Sequence, residues 1–218
     1  MRPLAALLLA ALAGAECERA PPETFAQSGN GPAPPAAAPP ASTPGSVTSA
    51  APVAPAPTPG ENARCILPTP GEPPPAVAPG PAPGCPPDPE GGAGKLPVVH
   101  VSFPDAGGVS VDAELVRSEH DSMRGLMYRK SLGAERGMLF DLLIRDDHKF
   151  WMHNTCIPLD LLFVDEDGLL VGIVENAPTL NDESRGVGCP SRWVLEVNAG
   201  WSRRHGVKAG QHVLLPSP

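Results

Sequence analysis

The sequence has few aromatic residues and no long run of positive charge. Aromatic side chains make up 4% of the 218 residues, and the formal net charge is -8. No basic run exceeds two residues, as at Arg203-Arg204. Proteins that bind nucleic acid or anionic lipid need clustered Lys and Arg to displace counterions and meet phosphates. The sequence therefore predicts no nucleic-acid partner and no electrostatic attraction to a membrane.

Motifs for cofactors and metals are also missing. The chain has no GxSxG turn, no glycine-rich phosphate loop and no dinucleotide fingerprint, so no cofactor is predicted. No metal site is predicted either, because CxxC and HxxxH spacings do not occur, although a copper or zinc site assembled in space stays an alternative. The side chains available for such a site are His148, His153, Cys156, Cys189, His205 and His212.

Proline, by contrast, is abundant and unevenly distributed. Of the 31 prolines, 23 lie in residues 21–90, whereas residues 95–218 hold all six His, all three Trp and the single Tyr. A segment poor in large apolar groups cannot offset the entropy lost on ordering. We therefore predict a disordered Pro/Ala/Gly-rich linker at 16–94 that acts as an extended spacer, and one compact domain at 95–218. Docking of PxxP segments onto a partner is the alternative for the linker.

The first residues resemble a secretory signal peptide. Arg2 precedes the apolar run 4–12, and the small residues 13–15 follow it. This pattern predicts a signal peptide at 1–15 and export to the periplasm or the extracellular space. A lipidated Cys17 is the alternative, although Glu16 stands where lipoprotein signals carry a small residue, and only that lipidation would bring a membrane partner.

Short alternating apolar runs predict a mainly β fold. The runs 98–103 and 109–116 flank a turn-rich segment and are typical of a hairpin. Ser118 begins a short helix in which Met123, Leu126 and Met127 recur on one face, so Gly125 is expected to lie inside that helix. Further strands are expected within 138–140, 149–154, 161–165, 169–175, 192–197 and 212–215, with a second helix from 198 to 205. This pattern predicts a β-rich α+β domain, a sandwich or barrel-like fold with two short helices.

The segment 149–165 is the densest candidate site. Its alternation of bulky side chains on both faces favours a central strand, and its polar residues form either an internal hydrogen-bond network or the floor of a pocket. Asp160 is the most interesting residue, since a partly desolvated carboxylate could act as an acid or base. The predicted ligand face is Trp151, His153, Asn154, Thr155 and Asp160, with Arg124, Glu175 and Asn176 as neighbours.

The cysteines allow several interpretations. In an exported protein, Cys156 and Cys189 are expected to form a disulfide, since they are the only cysteines of the predicted domain. The alternative is a nucleophilic or redox Cys156 with His153 as its base. Cys65 and Cys85 could close a local loop within the linker, but the sequence does not fix that pairing.

Four consecutive segments carry a resemblance to a known family. They are RGLMYRKSLGAERGMLF (124–140), FWMHNTCIPLDLLFVDEDG (150–168), VLEVNAGW (194–201) and HGVKAGQHV (205–213). Together they resemble the domain of unknown function 192 family over about residues 97–215. The resemblance implies a small β-rich bacterial or archaeal domain, often exported, and implies no activity, cofactor or substrate.

These observations predict an exported, noncatalytic module on a tether that binds a small molecule or an envelope protein. The competing hypothesis is an extracytoplasmic hydrolase or transferase that uses Asp160 or Glu175 with His153. A third is a purely structural envelope component.

Overall fold

The structure is a computed structural model that describes residues 64–92 and 94–216. The predicted signal peptide, the predicted linker up to residue 63, and Cys17 lie outside the described residues.

Eight strands and two short helices make up the domain, in agreement with the mainly β fold predicted from sequence. The strands are β1 (Val98–Phe103), β2 (Val109–Val116), β3 (Arg136–Asp146), β4 (Phe150–Met152), β5 (Leu159–Val164), β6 (Leu170–Ala177), β7 (Asn181–Arg185) and β8 (Ser191–Asn198). The helices are α1 (Glu119–Arg124) and α2 (Trp201–Arg204).

Six strands form one sheet in the order β1-β2-β3-β8-β5-β6, and β4 pairs with β7 in a second sheet. The predicted β1–β2 hairpin is confirmed, because the two strands pair antiparallel from Val98 with Glu114 to Phe103 with Val109. β2 and β3 run parallel, so α1 and the loop after it form the crossover that parallel strands require. Isolated bridges join the C-terminal segment to both edges of the large sheet, at Ser102 with Leu214 and Leu169 with His212. Among the described residues these bridges do not close a barrel.

The large sheet buries apolar side chains on both faces. On β8, Trp193 and Leu195 point to one core, which also holds Phe103 and Trp201. Val194 points to the other core, with side chains from β3, β5 and the β4 region. Two buried faces explain why β5 and β8 read as nearly continuous apolar runs rather than alternating ones.

The predicted central position of 149–154 is wrong. Only Phe150, Trp151 and Met152 form a strand there, and that strand pairs with β7 rather than within the large sheet. Phe150 packs edge-on against Phe140 and Phe163, at ring-centre distances of 5.1 and 6.0 Å, and Met152 is buried beside them. Trp151 points the other way and is 44% exposed. The bulky side chains on the two faces of β4 therefore have different surroundings: one face packs in the core and the other lies on the surface.

The first helix is also shorter than the apolar spacing indicates. Ser118 caps α1 as expected, because its Oγ accepts a hydrogen bond from the Asp121 amide. Gly125, however, ends the helix instead of lying inside it, with a φ of 49° that favours glycine.

Residues 64–92 form a strap that lies against the domain, so the predicted linker boundary at residue 94 differs from the structure. Leu67 donates its amide to the carbonyl oxygen of Val171, and the guanidinium of Arg203 donates to three strap carbonyls, those of Pro70, Gly71 and Glu72. The strap contains no helix or strand. Its order comes from contacts made by its backbone and its cysteines, which composition does not reveal.

Two disulfides fasten the strap to the domain. Cys65 is bonded to Cys189 and Cys85 to Cys156, with Cα–Cα distances of 5.4 Å in both. The predicted pairing of Cys156 with Cys189 is therefore wrong, as is the local loop between Cys65 and Cys85. Each strap cysteine lies beside one domain cysteine because the strap follows the domain surface. Since both domain cysteines are in disulfides, Cys156 does not supply the free thiol that the nucleophile hypothesis needs.

Candidate functional site

A small surface on the β4–β7 sheet brings together Trp151, His153 and Asp182. The indole of Trp151 stacks on the imidazole of His153, with ring centres 4.8 Å apart and planes 24° from parallel. His153 Nδ1 lies 2.6 Å from Oδ1 of Asp182, a residue of β7. We call these three side chains the platform. Its features are an indole ring with an imidazole stacked on one face, and a carboxylate bonded to that imidazole.

Local backbone geometry explains how the platform is oriented. Trp151 and His153 are two residues apart, so they leave β4 on the same side. Immediately after them Asn154 adopts a φ of 52°, a left-handed conformation that asparagine tolerates. Asn154 accepts the Tyr128 amide proton at its backbone carbonyl (2.8 Å) and donates from Nδ2 to the Tyr128 hydroxyl (3.0 Å). These bonds turn the chain back into the domain and fix the end of β4.

Thr155 has no part in the exposed surface. It is buried, and its hydroxyl donates to the His153 carbonyl oxygen at 3.2 Å. Its own carbonyl accepts the Leu180 amide at 3.0 Å, which joins the end of β4 to the start of β7. Thr155 therefore stabilises the backbone at the end of β4 and the start of β7, the two strands that position the platform.

Asp160 is fully buried and is a structural cap. Oδ1 accepts the amides of Asn176 (2.9 Å) and Gly200 (3.0 Å), and Oδ2 accepts the amide and hydroxyl of Ser202 (3.0 and 2.8 Å). Four donors therefore satisfy the carboxylate and tie β5 to the end of β6 and the start of α2. Since His153 belongs to the exposed platform, the structure does not bring the proposed acid–base pair together.

Arg124 is occupied by the strap. Its side chain is only 9% exposed and lies 2.6 Å from Asp88 and 3.0 Å from Glu90, while its guanidinium stands over the Tyr128 ring at 5.4 Å. Hydrogen bonding to Arg124 holds the pKa of Asp88 below its usual value. This predicted neighbour of the ligand face therefore binds the strap.

The other two predicted neighbours also contact residues outside the platform. Glu175 forms an ion pair with Arg203, with 2.7 Å between Oε1 and Nε. Asn176 has a φ of 53° and donates from Nδ2 to the Pro75 carbonyl oxygen of the strap at 3.1 Å. Of the eight predicted side chains, Trp151 and His153 are the two that share the exposed platform.

Glu196 is an unusual residue that sequence reasoning did not select. Its carboxyl group is buried on β8, and its Oε2 has no hydrogen-bond partner among the described residues. Burial raises the pKa of Glu196 to about 8, and the charge of Arg129 opposes that rise only in part. Arg129 instead makes two 2.6 Å hydrogen bonds to Glu114. The signal in the sequence was a single acid inside the apolar run VLEV, within the strand predicted at 192–197.

Asp182 was also missed, because it lies in NDESR, a run with no apolar residue to mark it as a strand. Within the described ranges, His, Cys, Asp and Glu side chains do not group in threes in a way that could hold a metal ion. Nor does any helix there have the length and apolar character needed to cross a membrane.

The fold and the platform define the chain as a small, mainly β domain with an exposed aromatic surface, braced by two disulfides. Residues 102–215 match the domain of unknown function 192 family, described as "Uncharacterized ACR". The chain belongs to that family. The matched region excludes the strap.

Two solved structures resemble the domain. A protein of unknown function from Novosphingobium aromaticivorans is 36% identical with a TM-score of 0.53, over 55% of this chain and 86% of that one. A protein from Sinorhizobium meliloti, provisionally named a transcription regulator, is 34% identical with a TM-score of 0.54, over 56% of this chain and 97% of that one. No curated protein matches the chain.

Proposed function

We propose that the protein is an exported binding protein whose platform takes a sugar ring of an extracytoplasmic glycan. The observation that carries the proposal is the Trp151 indole, 44% exposed and held against His153 on a sheet surface. An exposed indole with a fixed orientation offers a large contact area at little cost in conformational entropy. Tryptophan is for this reason common among the residues that dominate binding energy.

The polar neighbours of Trp151 suit a sugar. The C–H face of a pyranose ring is apolar enough to lie on an indole, and its rim carries hydroxyl groups that need hydrogen-bond partners. The imidazole of His153 lies on one face of the indole, which leaves the other face to the sugar ring. Nε2 of His153 and the second carboxylate oxygen of Asp182 are then the groups that can bond to hydroxyls at the rim of the sugar. An exposed platform on a sheet surface fits a polymer that lies across the domain.

Export is supported by the two disulfides. Disulfides persist in oxidising compartments and are rare in the cytosol, so a domain braced by Cys65–Cys189 and Cys85–Cys156 suits the periplasm or the extracellular space. The signal-peptide pattern at residues 1–15 supports the same location. Glycans of the cell envelope and its surroundings would then be within reach.

The first test is affinity electrophoresis in native gels that contain a soluble β-1,4-glucan, a xylan or a pectin. We expect at least one polymer to retard the wild-type protein, and Trp151→Ala to lose most of that retardation, by roughly tenfold or more in affinity. His153→Ala should weaken binding less, because the indole remains.

The matched control is Val98→Ala. Val98 is an exposed apolar residue on the edge strand β1, outside the platform, so its truncation should leave retardation unchanged. Equal retardation of the wild type and Trp151→Ala, or equal loss in Val98→Ala, would count against the platform.

A further inference from the structure

A cleft of about 440 Å³ opens between the strap and the domain. Its volume falls in the range of small-molecule sites, roughly 300 to 1,000 Å³. The strap lines one side, and the domain lines the other with the loop after α1 and the ends of β6 and β8. None of the three platform residues takes part, so the cleft is a separate feature of the surface.

The cleft exists because the strap is held at two points with a short span between them. Asn176 Nδ2 donates to the Pro75 carbonyl oxygen at 3.1 Å, and the Ala82 amide donates to the Cys156 carbonyl oxygen at 2.8 Å. The Cys85–Cys156 disulfide reinforces the second point. Gly80 allows the close approach there, because a Cβ atom on it would lie 2.8 Å from Ile157 Cγ2. Residues 76–80 therefore form a roof with fixed ends.

Two asparagines supply hydrogen-bond acceptors to the cleft. Asn198 donates from Nδ2 to the carbonyl oxygens of Leu132 (3.2 Å) and Gly133 (2.9 Å), and Asn176 donates to the strap. Both amide nitrogens are thus used in holding the walls. The Oδ1 atoms of the two residues accept no hydrogen bond from the described part of the chain, so they can accept from a ligand's hydroxyl groups.

Lys130 is the single charged residue that lines the cleft, and its neighbour Ser131 adds a hydroxyl. Lys130 forms no ion pair with the described residues, and the rest of the lining is mainly apolar. One ammonium group beside apolar walls favours an anion, since charge-assisted bonds are among the stronger polar contacts. We propose that the cleft binds a hydroxylated organic acid of about monosaccharide size, with its carboxylate at Lys130 and its hydroxyls at Asn176 and Asn198.

Calorimetric titration of the purified full chain with D-galacturonate and D-galactose tests this proposal, because the two sugars differ in the carboxylate. We expect D-galacturonate to bind at least about tenfold more tightly than D-galactose. Lys130→Gln should remove that difference, and Lys130→Arg should retain most of it. Lys95→Gln is the control, since Lys95 is an exposed lysine outside the cleft, and it should change nothing.

The roof offers an independent test through Val77, a strap residue that lines the cleft. Val77→Asp places a negative charge opposite the ligand and should weaken D-galacturonate binding by about tenfold, whereas the neutral Val77→Asn should retain most of it. The proposal is overturned if the two sugars bind equally, if neither binds at millimolar concentration, or if Lys130→Gln and Val77→Asp leave the affinity unchanged.

Trp151→Ala separates the cleft from the platform. Binding of D-galacturonate should survive that substitution, because Trp151 does not line the cleft. Loss of D-galacturonate binding in Trp151→Ala would place the acid on the platform and contradict the cleft assignment. Loss of polymer retardation alone leaves the cleft assignment supported.

Discussion

Asp160 shows how one residue type in one sequence context can serve opposite roles. A carboxylate in an apolar run suggests either a catalytic acid or a buried cap, and the distinction depends on which backbone amides surround it. Those amides belong to Asn176, Gly200 and Ser202, which are 16 to 42 positions away in sequence. Sequence reasoning could therefore identify Asp160 as special without deciding what it does.

Asp160→Asn should destabilise the domain strongly. The amide replaces one acceptor oxygen by an NH2 group, which would face amide donors that already need a partner, and the charge-assisted bonds are lost. We expect a loss of about 3 kcal/mol or more in the free energy of unfolding. Urea unfolding followed by tryptophan fluorescence measures the loss.

Asp182→Asn is the matched control, since that carboxylate is exposed on the platform and should change stability by less than about 0.5 kcal/mol. Equal, small effects of both substitutions would show that Asp160 is not a structural cap.

Glu196 should make stability depend on pH. The folded protein retains the proton to about pH 8, whereas the unfolded chain releases it near the ordinary glutamate pKa of 4.5. Between these values the folded state binds more protons, so its stability falls as pH rises, by up to about 1.4 kcal/mol per pH unit, and levels off above the folded-state pKa. Glu196→Gln should remove that fall and be more stable than the wild type at pH 9.

Urea unfolding at pH 5, 7 and 9 checks the Glu196 prediction. The quantity of interest is the stability difference between Glu196→Gln and the wild type, because other titrating groups contribute equally to both proteins. A difference that stays constant across the three pH values would mean that Glu196 is charged in the folded protein.

At the scale of elements, the sequence predicts best where one local pattern determines the structure. The bounds of β1 and β2 agree with the alternating runs at 98–103 and 109–116. The strand β7 lacks any apolar residue, so its pairing with β4 depends on tertiary contacts. The parallel pairing of β2 with β3 likewise comes from the crossover and not from either strand's own sequence.

The strap is the part of the structure that the sequence predicts least well. Its composition is typical of disorder, yet Cys65 and Cys85 bond to cysteines 124 and 71 positions away. Disulfide partners cannot be deduced from spacing, and here the choice of partners decides whether the segment is a free linker or part of the domain.

Peptide mapping under non-reducing conditions should find Cys65 linked to Cys189 and Cys85 linked to Cys156. Replacing one pair, as in Cys85→Ser/Cys156→Ser, should cost about 2 to 5 kcal/mol, because the open chain gains conformational entropy when unfolded. Thermal unfolding of that variant and of Cys65→Ser/Cys189→Ser measures both losses. A peptide that links Cys156 to Cys189 would contradict the arrangement of the strap.

At the scale of the whole molecule, the strap shows that part of the proline-rich N-terminal segment belongs to the domain. Composition suggested a spacer that ends at residue 94, whereas residues 64–92 lie on the domain and line a cleft. The predicted spacer is thereby confined to residues 16–63, which lie outside the described residues. The proline-rich sequence thus forms one wall of a cleft, in addition to the spacer predicted before it.

The central claim, that the platform binds glycan, can be measured through tryptophan fluorescence. Trp193 and Trp201 are buried at 2% and 0% exposure, so the 44% exposed Trp151 is the one that solvent and a soluble quencher reach. We predict that a soluble glycan which retards the protein shifts the emission saturably and protects it from acrylamide quenching, and that Trp151→Phe abolishes both effects. Emission and quenching that stay unchanged at saturating glycan would contradict the account.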